Sequence, residues 1–344
     1  PRSANGDESL AAFISRRLGS EVYERLIEPL MGGIYAGDAT QLSLAATFPQ
    51  LRQLELEHGG LIKGMLARRA QMQSARRSNA NGALAPGSRS AFLTPETGLA
   101  EIVDALVAAL KDAQLRTGAQ VCEIFPAADG YTLMLDEAEH LHADAVILAT
   151  PAFASAKLLQ GFDDKLAATL REIPYVSTAT VSLAYRLEHV LRPLDGYGYV
   201  IPRAEGGDIL ACTWTSTKFP HRAPPGYVLL RAFVGRAGKQ AALAGDDDHL
   251  LGLVLAEMKR TLGISAAPLF HCIYRWPDAM PQYILGHPER MHQIERRLAA
   301  RPGLHVAGAA YGGIGIPDCI HSGEQAARAA LRHLYPESVT MVAR

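Results

Sequence analysis

The chain has 344 residues, 48% of them hydrophobic, and a formal net charge of −1. This length buries a large core and divides into about two domains; near-neutral charge excludes the basic footprint of a nucleic-acid binder; and no apolar run approaches the roughly 20 residues of a spanning helix. Cys122, Cys212, Cys272 and Cys319 stand far apart with no CxxC pair, which excludes a zinc ribbon or a disulfide framework and fits a reducing compartment. In chain order, residues 8–80 read as helical: Leu10, Phe13, Ile14 and Leu18 recur at helical spacing, as do Val22, Leu26, Ile27 and Leu30. Serine, asparagine, glycine and proline between Ser78 and Ser90 predict a loop. Leu99, Ile102, Leu106 and Leu110 mark another helix. Val121–Ile124, Tyr131–Leu135 and Ala143–Ala149 read as strands, the last an unbroken apolar run that suits burial on both faces and ends at Pro151. Further strand-like runs are Thr178–Tyr185, Tyr197–Ile201, Tyr227–Val234 and Leu269–Trp276, and they predict a mixed sheet.

The C-terminal stretch Leu304–Leu331 carries the most chemistry. A short strand, Leu304–Ala307, leads into Gly308, Gly312, Gly313 and Gly315, which let a backbone bend tightly and lie close to a flat ligand. Pro317 suits the first turn of the helix that follows. Unpaired N–H groups and a positive dipole end would then face whatever covers the turn, and an anionic reduced flavin is such a ligand. The spacing alone equally fits an ordinary glycine-rich connection. Elsewhere, no Asp or Glu occurs between His58 and Pro95, whereas Lys63, Arg68, Arg69, Arg76, Arg77 and Arg89 do. With Leu61, Ile62, Met65, Leu66 and Met72 this basic amphipathic segment suits an anionic membrane surface, a cleft drawing in a carboxylated substrate, or a core helix with a solvated face. His140-x-His142 lacks a third metal ligand at suitable spacing, Ser155 and Ser322 lack a nucleophile elbow, and Asp246-Asp247-Asp248 reads as a helix start.

The wording of five segments goes further. AGAAYGGIGIPDCIHSG near the C-terminus resembles the flavin signature of the oxygen-dependent protoporphyrinogen and coproporphyrinogen oxidases of haem synthesis. RRLGSEVYERLIEPLMGGIYAGDATQLSLAATFPQL (residues 16–51) is similar to the same family's early helical region. Phe92–Leu99, Ala143–Ala152 and Met280–His287 follow in the family's order. The resemblance implies an α/β (α+β mixed) FAD-dependent oxidoreductase fold. It assigns 1–90 to a helical substrate- or membrane-facing domain, 91–155 and 301–344 to the FAD-binding domain, and 156–300 to a mixed-sheet substrate domain. It implies FAD as cofactor and a porphyrinogen as substrate, coproporphyrinogen III or protoporphyrinogen IX. O₂ is then the acceptor, the location cytoplasmic with peripheral membrane contact, and the product is handed to the next enzyme of haem synthesis. Oligomeric state stays open.

By motif, the resemblance places Val121, Trp276, Ile314, Gly315 and Ile316 at the flavin, and Tyr197, Val200 and Phe233 at the macrocycle. Read plainly, Val121 is a strand residue, Trp276 a core aromatic and the other three sheet core. It singles out no catalytic acid or base, because the cofactor carries the hard step. The family's opening GxGxxG is absent; Gly196-x-Gly198 is followed by Ile201 where the third glycine belongs. A chain truncated at its N-terminus is therefore expected, one that alone holds FAD poorly and is inactive. Two other readings stand beside it: an amine-oxidase-like flavoprotein oxidase, and a non-catalytic binding module.

Overall fold

A computed structural model describes residues 6–78 and 93–336. The chain opens with helices. Ser9 caps Leu10–Leu18 by accepting the Ala12 N–H, and Leu10, Phe13 and Ile14 on one face are buried. Gly19, at φ +94°, turns the chain into a run that continues through Ser20–Val22, a π-helical turn at Tyr23–Ile27 and the helix Glu28–Tyr35. Helices Leu44–Thr47, Pro49–His58 and Leu61–Ser78 complete the layer around Leu10, Phe13, Met31, Leu44, Leu54 and Leu61. Arg16 ties it together by pairing with both Glu8 and the buried Glu55 at 2.8 Å. In the basic segment only Leu61 and Gly64 are buried, while Ile62, Met65 and Leu66 face outward beside Lys63, Arg68 and Arg69. That overturns the core-helix reading for residues 61–71. The Met72, Arg76 and Arg77 side chains and all of Arg89 lie outside the described residues, as does the loop expected over residues 79–90.

The second core surrounds two small sheets. β1 (Val121–Ala127), β2 (Gly130–Leu135) and β3 (His140–Ala143) form an antiparallel meander, and β4 (Val146–Leu148) pairs in parallel with β10 (Leu304–Val306). Helices Ala152–Leu158, Asp164–Arg171 and His287–Ala299 pack against them through Ala156, Leu166, Leu170 and Ile294. The final helix, Ile316–Leu334, lies on β4 and β10. Asp163 caps Asp164–Arg171 and also receives Arg297 at 2.5 Å. The apolar run 143–149 is not buried on both faces: among the described residues β4 has one strand partner, and Ile147 is 40% exposed. The helix expected around Leu106 forms over Ala100–Ala109 with none of its residues buried.

The third core belongs to a five-stranded sheet of β5 (Tyr175–Arg186), β6 (Gly198–Val200), β7 (Ile209–Trp214), β8 (Tyr227–Val234) and β9 (Phe270–Pro281), in the order β6-β7-β8-β5-β9. The sheet expected to be mixed is antiparallel throughout. The links β6–β7 and β7–β8 are short returns without the crossover that parallel neighbours need. Strand β7 was not anticipated, because Ile209–Trp214 lacks apolar–polar alternation; five of its six residues are buried. Helix Asp247–Leu262, capped by Asp246, covers one face through Leu250, Val254, Met258 and Leu262. No helix among the described residues is long and apolar enough to cross a membrane.

Candidate functional site

The glycine-rich turn forms where β10 ends. Gly308 (φ +119°) and Gly313 (φ +142°) adopt backbone conformations that side chains resist, whereas Gly315 is ordinary at φ −71°. A Cβ at Gly313 would lie 2.6 Å from the Asp318 side chain. The expected row of free amides is largely satisfied from within. Gly308 N–H donates to Ser322 Oγ (3.0 Å), Gly313 N–H to the Tyr283 hydroxyl (2.8 Å) and Gly315 N–H to Asp318 Oδ2 (3.2 Å). The Asp318 carboxylate thus occupies the positive end of the helix dipole itself. What the turn presents outward is backbone and two isoleucines, Ile314 half-buried and Ile316 49% exposed. Such a surface suits the face of a flat ring.

Tyr283 is the clamp on that turn. Its hydroxyl donates to Ala309 O (2.5 Å) while accepting from Gly313, and its ring stacks on His287 at 4.2 Å and 13°. The side chain is 2% exposed, and burial holds its phenol well above the ordinary range. Burial, reinforced by Arg290, pushes His287 down to about 4, so it is neutral. The same segment reaches the helical layer: Gln282 Nε2 donates to Tyr35 O (2.8 Å), and Tyr283 O accepts from Ser43 N–H (2.8 Å). Residues 282–287 therefore join the turn to the first helices.

A groove of about 770 Å³ runs between β1 and β4, lined by Val121, Glu123, Ile147, Thr150, Phe153 and Lys157 among others. Val121 starts β1 opposite Leu135 and packs on the core that includes Ala310 and Tyr311, inside the glycine turn between Gly308 and Gly312. Val121 and the turn are thus mounted on one rigid core. Glycine backbone at the turn and an apolar, partly polar-rimmed groove at Val121 fit the two ends of a flavin dinucleotide, and both are features a Cβ or a filled core would abolish.

The face of the five-stranded sheet opposite helix Asp247–Leu262 is built by register. Val200 pairs with Ala211, Ala211 with Phe233, Phe233 with Thr180 and Thr180 with Tyr274, forming one row across all five strands. Trp276 pairs with Thr178 one row away, its ring 6.4 Å from Tyr274. Trp276 is 50% exposed, so it is not a core aromatic. The helix Glu28–Tyr35 overlies the other end of the row, where Gly33 would meet Val200 Cγ1 at 3.4 Å from an added Cβ. Tyr197 precedes β6, outside the paired registers, and is exposed. Under that helix Glu28 is buried with Arg236, receives the Arg203 backbone N–H at 3.0 Å, and sits 3.6 Å from Arg236 Nη1. Among the expected residues, register brings together Val200, Phe233 and Trp276, and the turn brings together Ile314, Gly315 and Ile316. Tyr283, Asp318, Glu28 and Arg236 were not singled out. Tyr283, Asp318 and Glu28 each carried a signal, their places in the Met280–His287, C-terminal and 16–51 segments; Arg236 carried none.

Comparison with known proteins gives a consistent result. The family model described as flavin containing amine oxidoreductase matches residues 1–331. The chain is 38% identical to a coproporphyrinogen III oxidase of Bacillus subtilis (strain 168), over 96% of this chain and 68% of that protein. It is 32% identical to a protoporphyrinogen oxidase of Bos taurus, over 96% and 70% respectively. A crystal structure from Exiguobacterium sp. 255-15, provisionally named a protoporphyrinogen oxidase, superposes with a TM-score of 0.80 at 33% identity, covering 97% of this chain and 68% of that one. With that family model matched over nearly the whole chain and these relatives above 30% identity, the chain belongs to the flavin-containing amine oxidoreductase family.

Proposed function

We propose that this chain forms the flavin turn and substrate cleft of an FAD-dependent, oxygen-using porphyrinogen oxidase of haem synthesis. The observation that carries the reading is the cross-strand row Val200–Ala211–Phe233–Thr180–Tyr274 with Trp276 beside it, buried at Ala211 beneath the first helices and exposed at Tyr274 and Trp276, an apolar and aromatic floor for a flat macrocycle. Bound FAD supplies two-electron oxidation with O₂ as final acceptor. Ile314, Gly315 and Ile316 would support its ring system, with Trp276 near it, and Val121 would back the adenine end. A porphyrinogen lies six electrons above its porphyrin, so the floor must hold one ring in register through three rounds. Val200 and Phe233, and Tyr197 at the rim, supply contact area and exclude water; orientation is their contribution. No carboxylate, imidazole or ammonium stands on that row, which agrees with a reaction whose protons leave to water.

The exposed Ile62, Met65 and Leu66 beside Lys63, Arg68 and Arg69 support peripheral contact with an anionic membrane surface. The same positive segment favours coproporphyrinogen III, with four propionates, over protoporphyrinogen IX, with two. The test is anaerobic mixing of the FAD-loaded holoenzyme with each porphyrinogen. Bleaching of the oxidised flavin band, and a larger kcat/KM for coproporphyrinogen III, are expected. An unchanged band with both, or bleaching by a polyamine instead, overturns the proposal.

A further inference from the structure

We infer that Arg231, positioned by Ser182, is the group that reads a carboxylate of the substrate. The inference rests on the porphyrinogen reading above. Strand β8 alternates strictly: Val228, Leu230, Ala232 and Val234 are buried under helix Asp247–Leu262, while Tyr227, Arg231 and Phe233 project from the opposite face, Phe233 against the cluster around Ala36 and Arg231 exposed. Phe233 belongs to the row proposed to floor the macrocycle. Arg231, two residues away on the same face, stands about 7 Å along the strand, one row further on.

That second row is Thr213–Arg231–Ser182–Cys272 by direct pairing. Trp276 and Thr178 lie on the opposite side of the Phe233 row, toward the residues assigned to the flavin. A ring lying over Phe233 therefore has its oxidised edge at Trp276 and its far edge at Arg231.

The chemistry of Arg231 points the same way. Its Nε donates to Ser182 Oγ at 3.2 Å, which ties the exposed guanidinium to the sheet and leaves neither Nη in that bond. Among the described residues no carboxylate pairs with it, although Arg16, Arg203, Arg260, Arg275, Arg290, Arg297 and Arg301 all have one. Thr178, Thr180 and Thr213 share this face, and the other cation on it, Arg186, lies over the Tyr227 ring at its far end; Arg231, an exposed cation held by a neutral hydroxyl next to Phe233, is arranged to meet an anion that arrives with the ligand. Propionate, on a two-carbon arm from the ring edge, matches a planar fork.

The test separates this inference from the reading it rests on. Fluorescence titration of the chain with coproporphyrin III and with protoporphyrin IX needs no turnover and no bound flavin. Wild type should bind both. Arg231→Ala should weaken coproporphyrin III about tenfold, the scale of one partly exposed charge-assisted hydrogen-bond pair. Arg231→Lys should recover part of that, and Ser182→Ala should lose about threefold by freeing the guanidinium. Arg231 is exposed, so circular dichroism and thermal midpoint should stay at wild-type values, and a variant that misfolds is recognised there. Arg231→Lys then carries the comparison. If wild type binds neither porphyrin, the porphyrinogen reading falls and this inference with it. If wild type binds and Arg231→Ala and Arg231→Lys bind equally well, Arg231 is not the carboxylate reader.

Discussion

Replacing Tyr283 by Phe removes one oxygen and leaves two backbone groups without partners. The hydroxyl accepts from Gly313 N–H and donates to Ala309 O, and both residues are half-buried. A fully buried orphan group costs about 1–3 kcal/mol. Water reaches these two in part, so Tyr283→Phe should destabilise by about 1–2 kcal/mol in total. The ring remains, and with it the stack on His287. Tyr283→Leu loses ring and hydroxyl together and should cost about 3–4 kcal/mol. Urea unfolding followed by circular dichroism measures both, and the midpoint should fall with the slope unchanged. Because the lost bonds are those that hold the turn, limited proteolysis should open Tyr283→Phe near residues 308–315 before the rest of the chain. A change below about 0.3 kcal/mol, with the turn no more cleavable, would refute the clamp, since it would mean the turn holds its shape unaided.

Three further outcomes follow from the same geometry. His287 is buried and neutral, protonating near 4 in the folded chain against an ordinary 6.5, so the unfolded state binds the extra proton between those values. Stability should therefore fall by about 3 kcal/mol on acidification from pH 6.5 to 4, and His287→Phe should flatten that slope in pH-dependent denaturation; parallel slopes would exclude His287 as the cause. Glu28→Gln leaves Arg236, 2% exposed, without its carboxylate and should cost about 3 kcal/mol in urea, whereas Glu28→Gln with Arg236→Met should recover much of it; additive losses would show the two do not couple. The chain contains no GxGxxG to cradle a pyrophosphate, so residues 1–344 mixed with FAD should elute colourless from gel filtration, and a stoichiometric yellow peak would contradict that.

Local rules made much of this protein legible before any coordinates. Helical spacing at Leu10–Leu18, alternation along Tyr227–Val234, and the strand–glycine–Pro317 order at residues 304–334 each depend on neighbours within a few residues, and each element forms where expected. The wording of the C-terminal turn and of residues 16–51 pointed to the family, and Gly313, at φ +142° with Asp318 where a Cβ would sit, tolerates few alternatives. Pairing decided the rest. Ile209–Trp214 shows no alternation because both its faces are covered, so only its neighbours β6 and β8 reveal it as a strand. Ile147 is apolar yet exposed because it lines the open groove beside β4, which among the described residues has one strand partner. The amides of the turn looked free in sequence and are taken by Tyr283 and Asp318, one of them 30 residues away. Arg231 and Trp276 are 45 positions apart and read as unrelated; antiparallel register through β5 sets both on one face, and contacts between residues so distant along the chain exist only once the sheet has closed.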